Sequence, residues 1–270
     1  MTSKITGYLM ESCDEAIRLD KKTEETVVEK QATWAGLQSG MSVADVCCGS
    51  GKATSVLHRI VCPTGQAVGI DSSEQRIAYA RKYYGKTRLD FVCRDIKGPL
   101  ADIGKFDLVW VRFALEYFRE EAFDLVSNIS TLVRPGGIFC LIDLDHNCLN
   151  HYQMPERLER TVCDISRQLT MKANFDPYSG RKLYSHLYRL GYADIEVDIG
   201  AHHLIVGELK EHEAYNWLKK VEMIFHKLNY SFPEYPGGHQ EFHDEFWSFF
   251  MSPDRFTYTP IICCRGRRPE

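Results

Sequence analysis

The chain has 270 residues and a net charge of −4, which fits one large domain, or one domain with an elaborated cap, and gives no electrostatic footprint for bulk nucleic-acid binding. It has no run of about 20 apolar residues to span a bilayer and no apolar stretch of the signal-peptide kind at its N-terminus. Ten cysteines without a CxxC spacing argue for reduced, mostly packed thiols in a cytoplasmic protein and against a metal site.

Residues 11–38 read as a helix, with Ala16, Ile17, Val27, Val28, Trp34 and Leu37 among charged residues and Gly40 as the stop signal. Val43 to Val46 form a short strand that runs into Cys47-Cys48-Gly49-Ser50-Gly51. A helix follows, with Val56, Leu57, Ile60 and Val61 on one face, and Cys62-Pro63-Thr64-Gly65 breaks it. Residues 67–71 (AVGID) are the next strand, and Ser72 or Ser73 caps the helix after it. Residues 89–93 (LDFVC) are a third strand, followed by Arg94-Asp95. The run FDLVWV (106–111) is apolar on both faces, as in a fully covered parallel sheet. Residues 120–133 have a helical apolar period that Pro135-Gly136-Gly137 ends, and IFCLID (138–143) is the fifth strand.

Beyond residue 145 the rhythm changes. Helices are expected near 155–172, over the Leu183, Leu187 and Leu190 stretch, and across 208–228. IEVDI (195–199) and YTPIICCRG (258–266) read as strands, and the aromatic residues concentrate between 151 and 260. The strand–helix alternation up to residue 143 gives an α/β, doubly wound sheet. The expected division is a helical lid over 1–40, a core over 41–145, and cap helices with the last strands over 146–270.

In such a sheet, ligands bind beyond the carboxyl ends of the strands. Asp71 and Asp95 end or follow strands and converge there, while Asp45 lies two residues before the first turn. Gly49 and Gly51 let the backbone approach a ligand. Asp71 is the type of acid that accepts hydrogen bonds from a ribose diol.

The joint pattern VADVCCGSG, acid, CRD, FDLVWV and RPGG over residues 43–143 resembles the class I S-adenosylmethionine-dependent methyltransferases, closest to their small-molecule, quinone-biosynthesis branch. The resemblance implies a Rossmann-like seven-stranded sheet with mostly helical cap insertions and an antiparallel last strand beside the fifth. It implies S-adenosyl-L-methionine as the cofactor. Asp45, Cys47, Cys48 and Gly49 would surround its methionine end, and Asp71 would hold the ribose with Ser72 against the adenine. Asp95 and Ile96 would contact the adenine, and Val111 and Arg112 would pass beside the carboxylate and sulfonium.

The family loop has glycine where Cys47 stands, and the expectation is that Cys47 keeps a negative φ. A nicotinamide dinucleotide fold fits less well, because it wants a third glycine after Gly51 and no acid at Asp45. A cofactor-binding protein without transferase activity is the remaining alternative.

Methyl transfer needs placement and exclusion of water before it needs a base. If a base operates, IDLDHN (142–147) is the place expected for it, with His146 taking a proton and Asp143 or Asp145 orienting it. Arg112, Glu116 and Tyr117 follow the fourth strand, where Arg112 can pair with a carboxylate. The histidines of HQEFH (239–243) belong more simply to an amphipathic helix than to a metal site. His202 and His203 follow a strand and can face the cleft. Tyr8 and the N-terminal helix can form a lid. The acceptor is expected to be a small molecule with some apolar or aromatic character.

Overall fold

The computed structural model describes residues 8–12, 14–147, 149–210, 213–214, 217 and 227–270. Among the described residues, eight strands form one sheet in the order β3-β2-β1-β4-β5-β8-β6, with β7 on the other edge of β8. They are β1 (Ser42–Val46), β2 (Gln66–Asp71), β3 (Leu89–Cys93), β4 (Phe106–Arg112), β5 (Val133–Leu144), β6 (His151–Tyr152), β7 (Ala193–Ile205) and β8 (Phe256–Arg267). The first five are parallel, and β8 runs antiparallel to both β5 and β7. The last strand therefore stands beside the fifth as expected. The two-residue β6 is the addition to the seven-stranded expectation.

The helices described from end to end are α1 (Glu15–Lys22), α2 (Glu25–Ala35), α3 (Lys52–Val61), α4 (Glu74–Tyr84), α5 (Ala122–Ser130), α6 (Glu156–Lys172), α7 (Leu183–Arg189) and α8 (Gly238–Met251). The single helix expected over 11–38 is two, because Thr23 is extended at φ −80, ψ 113. Gly36, left-handed at φ 89, ends α2, so the stop precedes Gly40. Ser73 rather than Ser72 caps α4, accepting from the Arg76 amide. The helix after β4 stops at Ser130, and β5 starts at Val133 and includes the Pro-Gly-Gly stretch. The expected helix over 208–228 falls mostly outside the described residues.

Strand alternation divides the core into two apolar layers. Val43, Leu108, Trp110, Cys140 and Ile142 face α2, α3 and α4, while Ala44, Val46, Val109, Val111, Phe139 and Leu141 face α5 and α7. Trp110 is fully buried. A third cluster joins Leu158, Ile165 and Leu169 of α6 to Phe242, Phe246, Phe249 and Phe250 of α8. Most described cap aromatics therefore pack against each other. This arrangement leaves the carboxyl ends of β1, β2 and β4 open at the point where the strand order reverses.

Candidate functional site

A cavity of about 150 Å³ lies at those strand ends. Its floor is the turn after β1, residues 47–50, and the turn after β4, residues 112–118. Both turns hold a non-glycine residue in the left-handed region, Cys47 at φ 64 and Phe113 at φ 57. Such backbone strain costs about 1–2 kcal/mol per residue and gathers where loops are positioned for ligands. The expectation of a negative φ at Cys47 is thereby corrected. The turn has a reason: it aims the Cys48 amide at the Ile70 carbonyl of β2, 3.0 Å away, which locks the loop onto the neighbouring strand.

Asp71 ends β2 and organises the floor. Its Oδ2 accepts from the Gly49 amide at 2.9 Å, and its Oδ1 accepts from the Ser73 amide and Arg76 Nε, both at 3.0 Å. A carboxylate oxygen takes two hydrogen bonds, so Oδ2 retains capacity for a ligand hydroxyl. Arg76 also binds Glu11 Oε2 at 2.6 Å, which ties the N-terminal segment to the site. Ser72, Asp95 and Ile96 continue this wall. Asp95 Oδ1 accepts from the Lys97 amide at 2.9 Å, forming its own turn.

Asp45 is 2% exposed and accepts from Thr54 Oγ1 at 2.6 Å. Burial pushes its carboxyl up to about 7, against the lowering influence of Thr54 and Arg112. Arg112 donates from Nε to Gln31 Oε1 at 3.0 Å and lies 4.0 Å from the Phe113 ring centroid. Its burial lowers it to about 10, with Asp45 opposing the shift. An ionised Asp45 would thus sit in a place suited to a cationic ligand. Desolvation raises the Cys47 thiol, which makes it an inert neighbour rather than a nucleophile.

The N-terminal segment covers this floor. Tyr8, Arg18, Leu19, Lys22 and Thr23 line the cavity. Arg18 holds Glu15 through Nε and Nη2, both at 2.7 Å, and Tyr8 donates to Glu15 at 3.0 Å. Tyr8 meets Tyr117 edge-on at 4.8 Å. A Cβ on Gly49 would lie 2.8 Å from Leu19 Cδ1, so the glycine admits the helix α1 at close range.

Of the expected site residues, Asp45, Cys47, Cys48, Gly49, Asp71, Ser72, Asp95, Ile96 and Arg112 line one cavity. Four do not. Gly51, at φ 82, faces α4 and β3, where a Cβ would lie 2.7 Å from Ala80 Cβ and 2.7 Å from Phe91 Cε1. Its role is close helix packing rather than ligand approach. Val111 points into the apolar layer under α5. Asp143 is fully buried, accepting from the Glu116 amide at 3.1 Å, Ser179 Oγ at 3.2 Å and the Leu144 amide at 2.8 Å. His146 packs edge-on against Tyr178 at 4.9 Å. Asp143, within β5, and His146, beyond its end, do not line the cavity, so the structure does not bring the expected acid–base pair to it. The acid that reaches the cavity is Glu116, whose signal in the sequence was an isolated glutamate inside the otherwise apolar and aromatic FALEYF.

Other groups lie elsewhere. Asp107 holds the Ser42 amide and hydroxyl, at 2.7 and 2.6 Å, at the opposite end of the sheet. His202 belongs to the extended β7 and packs on Phe113 at 4.6 Å. His239 and His243 lie on the amphipathic α8, as expected. The cavity's aromatic walls are Tyr8, Phe113, Tyr117 and Phe118; among the described residues, none comes from 151–260.

Comparison with known proteins agrees with this geometry. Residues 43–137 match the family model described as a methyltransferase domain. A demethylmenaquinone methyltransferase of Halalkalibacterium halodurans is 27% identical over 201 residues, 67% of this chain and 81% of that protein. A juvenile hormone acid O-methyltransferase of Bombyx mori is 36% identical over 172 residues, 58% of this chain and 59% of that protein. The chain spans about half the length of several curated relatives it matches. A Geobacter sulfurreducens S-adenosylmethionine-dependent methyltransferase, solved with S-adenosyl-L-homocysteine, shares the fold at TM-score 0.58 and 17% identity over the whole of both chains.

Proposed function

We propose that this chain, whose residues 43–137 match a methyltransferase domain, transfers the methyl group of S-adenosylmethionine to a small organic acceptor. The observation that carries the proposal is the cavity at the strand-order reversal, where Asp71, Asp95 and Asp45 converge on two strained turns. The donor set suits this cofactor. Asp71 offers a carboxylate oxygen to the ribose hydroxyls, and Asp95 and Ile96, on the same wall, take the adenine. Asp45, ionised at neutral pH in the presence of positive charge, balances the sulfonium and ammonium groups.

When bound, the cofactor supplies a methyl group already activated by positive sulfur. The chain's own residues then have three tasks. Asp71, anchored by Gly49 and Arg76, fixes the orientation, and oriented binding can supply roughly 7–11 kcal/mol of barrier lowering. Tyr8, Leu19 and Arg18 cover the floor and exclude water. The aromatic side chains of residues 113–118 and Tyr8 give the acceptor an apolar wall. The names of the two curated relatives point to small organic substrates, and we extend that class to this chain.

A net charge of −4 supports a non-nucleic-acid substrate, and eight described free cysteines support a cytoplasmic location. No described helix is long and apolar enough to cross a membrane. Calorimetric titration with S-adenosylmethionine and S-adenosylhomocysteine tests the proposal, and absence of affinity for both would sink it. Preferential binding of NAD would favour the dinucleotide reading instead.

A further inference from the structure

Among the described residues, Glu116 is the one cavity-lining acid that the cofactor assignment leaves unused. It sits in the 3-10 turn Leu115–Tyr117, 2% exposed, and its Oε2 accepts from Asn147 Nδ2 at 2.7 Å. Behind it lies Asp143, which binds the Glu116 amide from within the sheet. We propose that Glu116 receives the acceptor, taking a hydrogen bond from a phenol- or enol-type hydroxyl and accepting its proton during transfer. This rests on the methyltransferase reading above and names the substrate class for the same site.

Three observations carry it. The first is placement. Glu116 is followed directly by Tyr117, whose ring meets Tyr8 edge-on, so a carboxylate and aromatic walls share one side of the cavity. That combination suits a planar acceptor with one acidic hydroxyl.

The second is charge. Two buried carboxyls in one wall do not both ionise readily. Burial, with the Glu116 charge as the next cause, pushes Asp143 well above the usual carboxylate range. Asp143 is thereby held back from ionising beside Glu116, the member of the pair that faces the cavity. Asp143 acts through Glu116 and is a positioning residue.

The third is what the wall disfavours. An acceptor carboxylate would bring a second negative charge against Glu116. Of the cations beside the Tyr8–Tyr117 pair, Arg18 has its Nε and Nη2 engaged by Glu15, and Arg76, 5.2 Å from the Tyr8 ring centroid, is held by Asp71 and Glu11. A carboxylate acceptor also needs no base, whereas a phenol does.

The step balances. The acceptor oxygen bonds to the methyl carbon, and the methyl–sulfur bond breaks with its electron pair left on sulfur. The acceptor proton ends on Glu116 and leaves to solvent with product release.

The test uses 1,4-dihydroxynaphthalene as the phenol probe and dodecanoic acid as the carboxylate control. Wild-type protein loaded with S-adenosylhomocysteine should bind the phenol in calorimetry and, with S-adenosylmethionine, methylate it. Glu116→Gln should keep its affinity for S-adenosylmethionine, bind the phenol more weakly and transfer roughly 10²-fold more slowly or worse. Glu116→Asp should recover part of the rate. Any pH dependence of the wild-type rate that belongs to the Glu116 carboxyl should be absent from the Gln variant. Asp143 and Tyr117 are the titratable groups whose charges couple to it. Transfer by Glu116→Gln at the wild-type rate overturns the proposal. So does methylation of dodecanoic acid by a protein that does not bind the phenol, or failure of the loaded wild type to bind the phenol at all. Loss of affinity for both cofactor forms in the wild type would instead defeat the methyltransferase reading.

Discussion

Replacing Asp45 with asparagine should make the empty protein more stable at alkaline pH and weaken its hold on the cofactor. Asparagine has the same shape and can still accept from Thr54 Oγ1, so the substitution removes the charge and little else. The folded carboxyl titrates near 7 against 3.8 for the free group. For an acid raised on folding, stability is fully present below the unfolded value and is lost as pH rises through the folded one. The difference is worth about 4 kcal/mol at pH 8. Roughly 2.5 kcal/mol of that loss develops between pH 5 and pH 8.

The stability gap between Asp45→Asn and wild type, read from urea unfolding without ligand, should widen by that amount over the interval. In melting experiments this is about 5 °C. Binding should run the other way. Wild-type affinity for the cationic S-adenosylmethionine should fall as pH drops through 7, and the Asn variant should bind weakly at every pH. A stability gap that is the same at pH 5 and pH 8 would refute the reasoning, since it would mean that Asp45 titrates alike in the folded and unfolded chains.

Other outcomes follow from the same geometry. Cys47→Gly should stabilise the chain by ~0.5–1 kcal/mol in urea unfolding, because relief of about 1–2 kcal/mol of left-handed strain exceeds the entropic cost of glycine. Gly51→Ala should cost about 3 kcal/mol or more, since its Cβ would lie 2.7 Å from Ala80 Cβ at a positive φ; unchanged stability would show that α4 shifts freely. Asp71→Asn should reduce cofactor affinity about 10- to 100-fold in calorimetry, the range for losing a hydrogen bond to a charged group.

The sequence carried the sheet well, because each core strand is short, apolar and closed by its own turn signal. FDLVWV announced burial on both faces, and both layers indeed receive its side chains. Asp45, Asp71 and Asp95 were legible because each sits in or just after one of the first three strands, whose carboxyl ends a parallel sheet brings together. The dihedral at Cys47 was not, since residue type argued one way while the Cys48–Ile70 hydrogen bond, a contact across strands, decided the other. Glu116 was overlooked as the cavity acid for a similar reason. Its position in the cavity wall depends on Asp143, 27 residues later, which holds the Glu116 amide, and nothing local shows which of the two acids will face the cavity. Asp143 and His146 looked favourable by following a strand end, yet a strand end near a cavity is not a side chain in it.

The placement of β8 has a consequence for how this fold assembles. Ile138 pairs with Arg267 and Leu144 with Ile261, so the fifth strand's outer edge is closed only by chain that lies more than a hundred residues downstream. β7 is in the same position, with β8 as its only described neighbour. The four strands β3, β2, β1 and β4 can pair among themselves as the chain emerges. Until β8 inserts, however, an apolar strand edge with unpaired amides stands open, the condition under which intermediates join to one another. Folding yield should therefore be governed by the arrival of this single strand, and slow refolding at low protein concentration should favour the native sheet over aggregates.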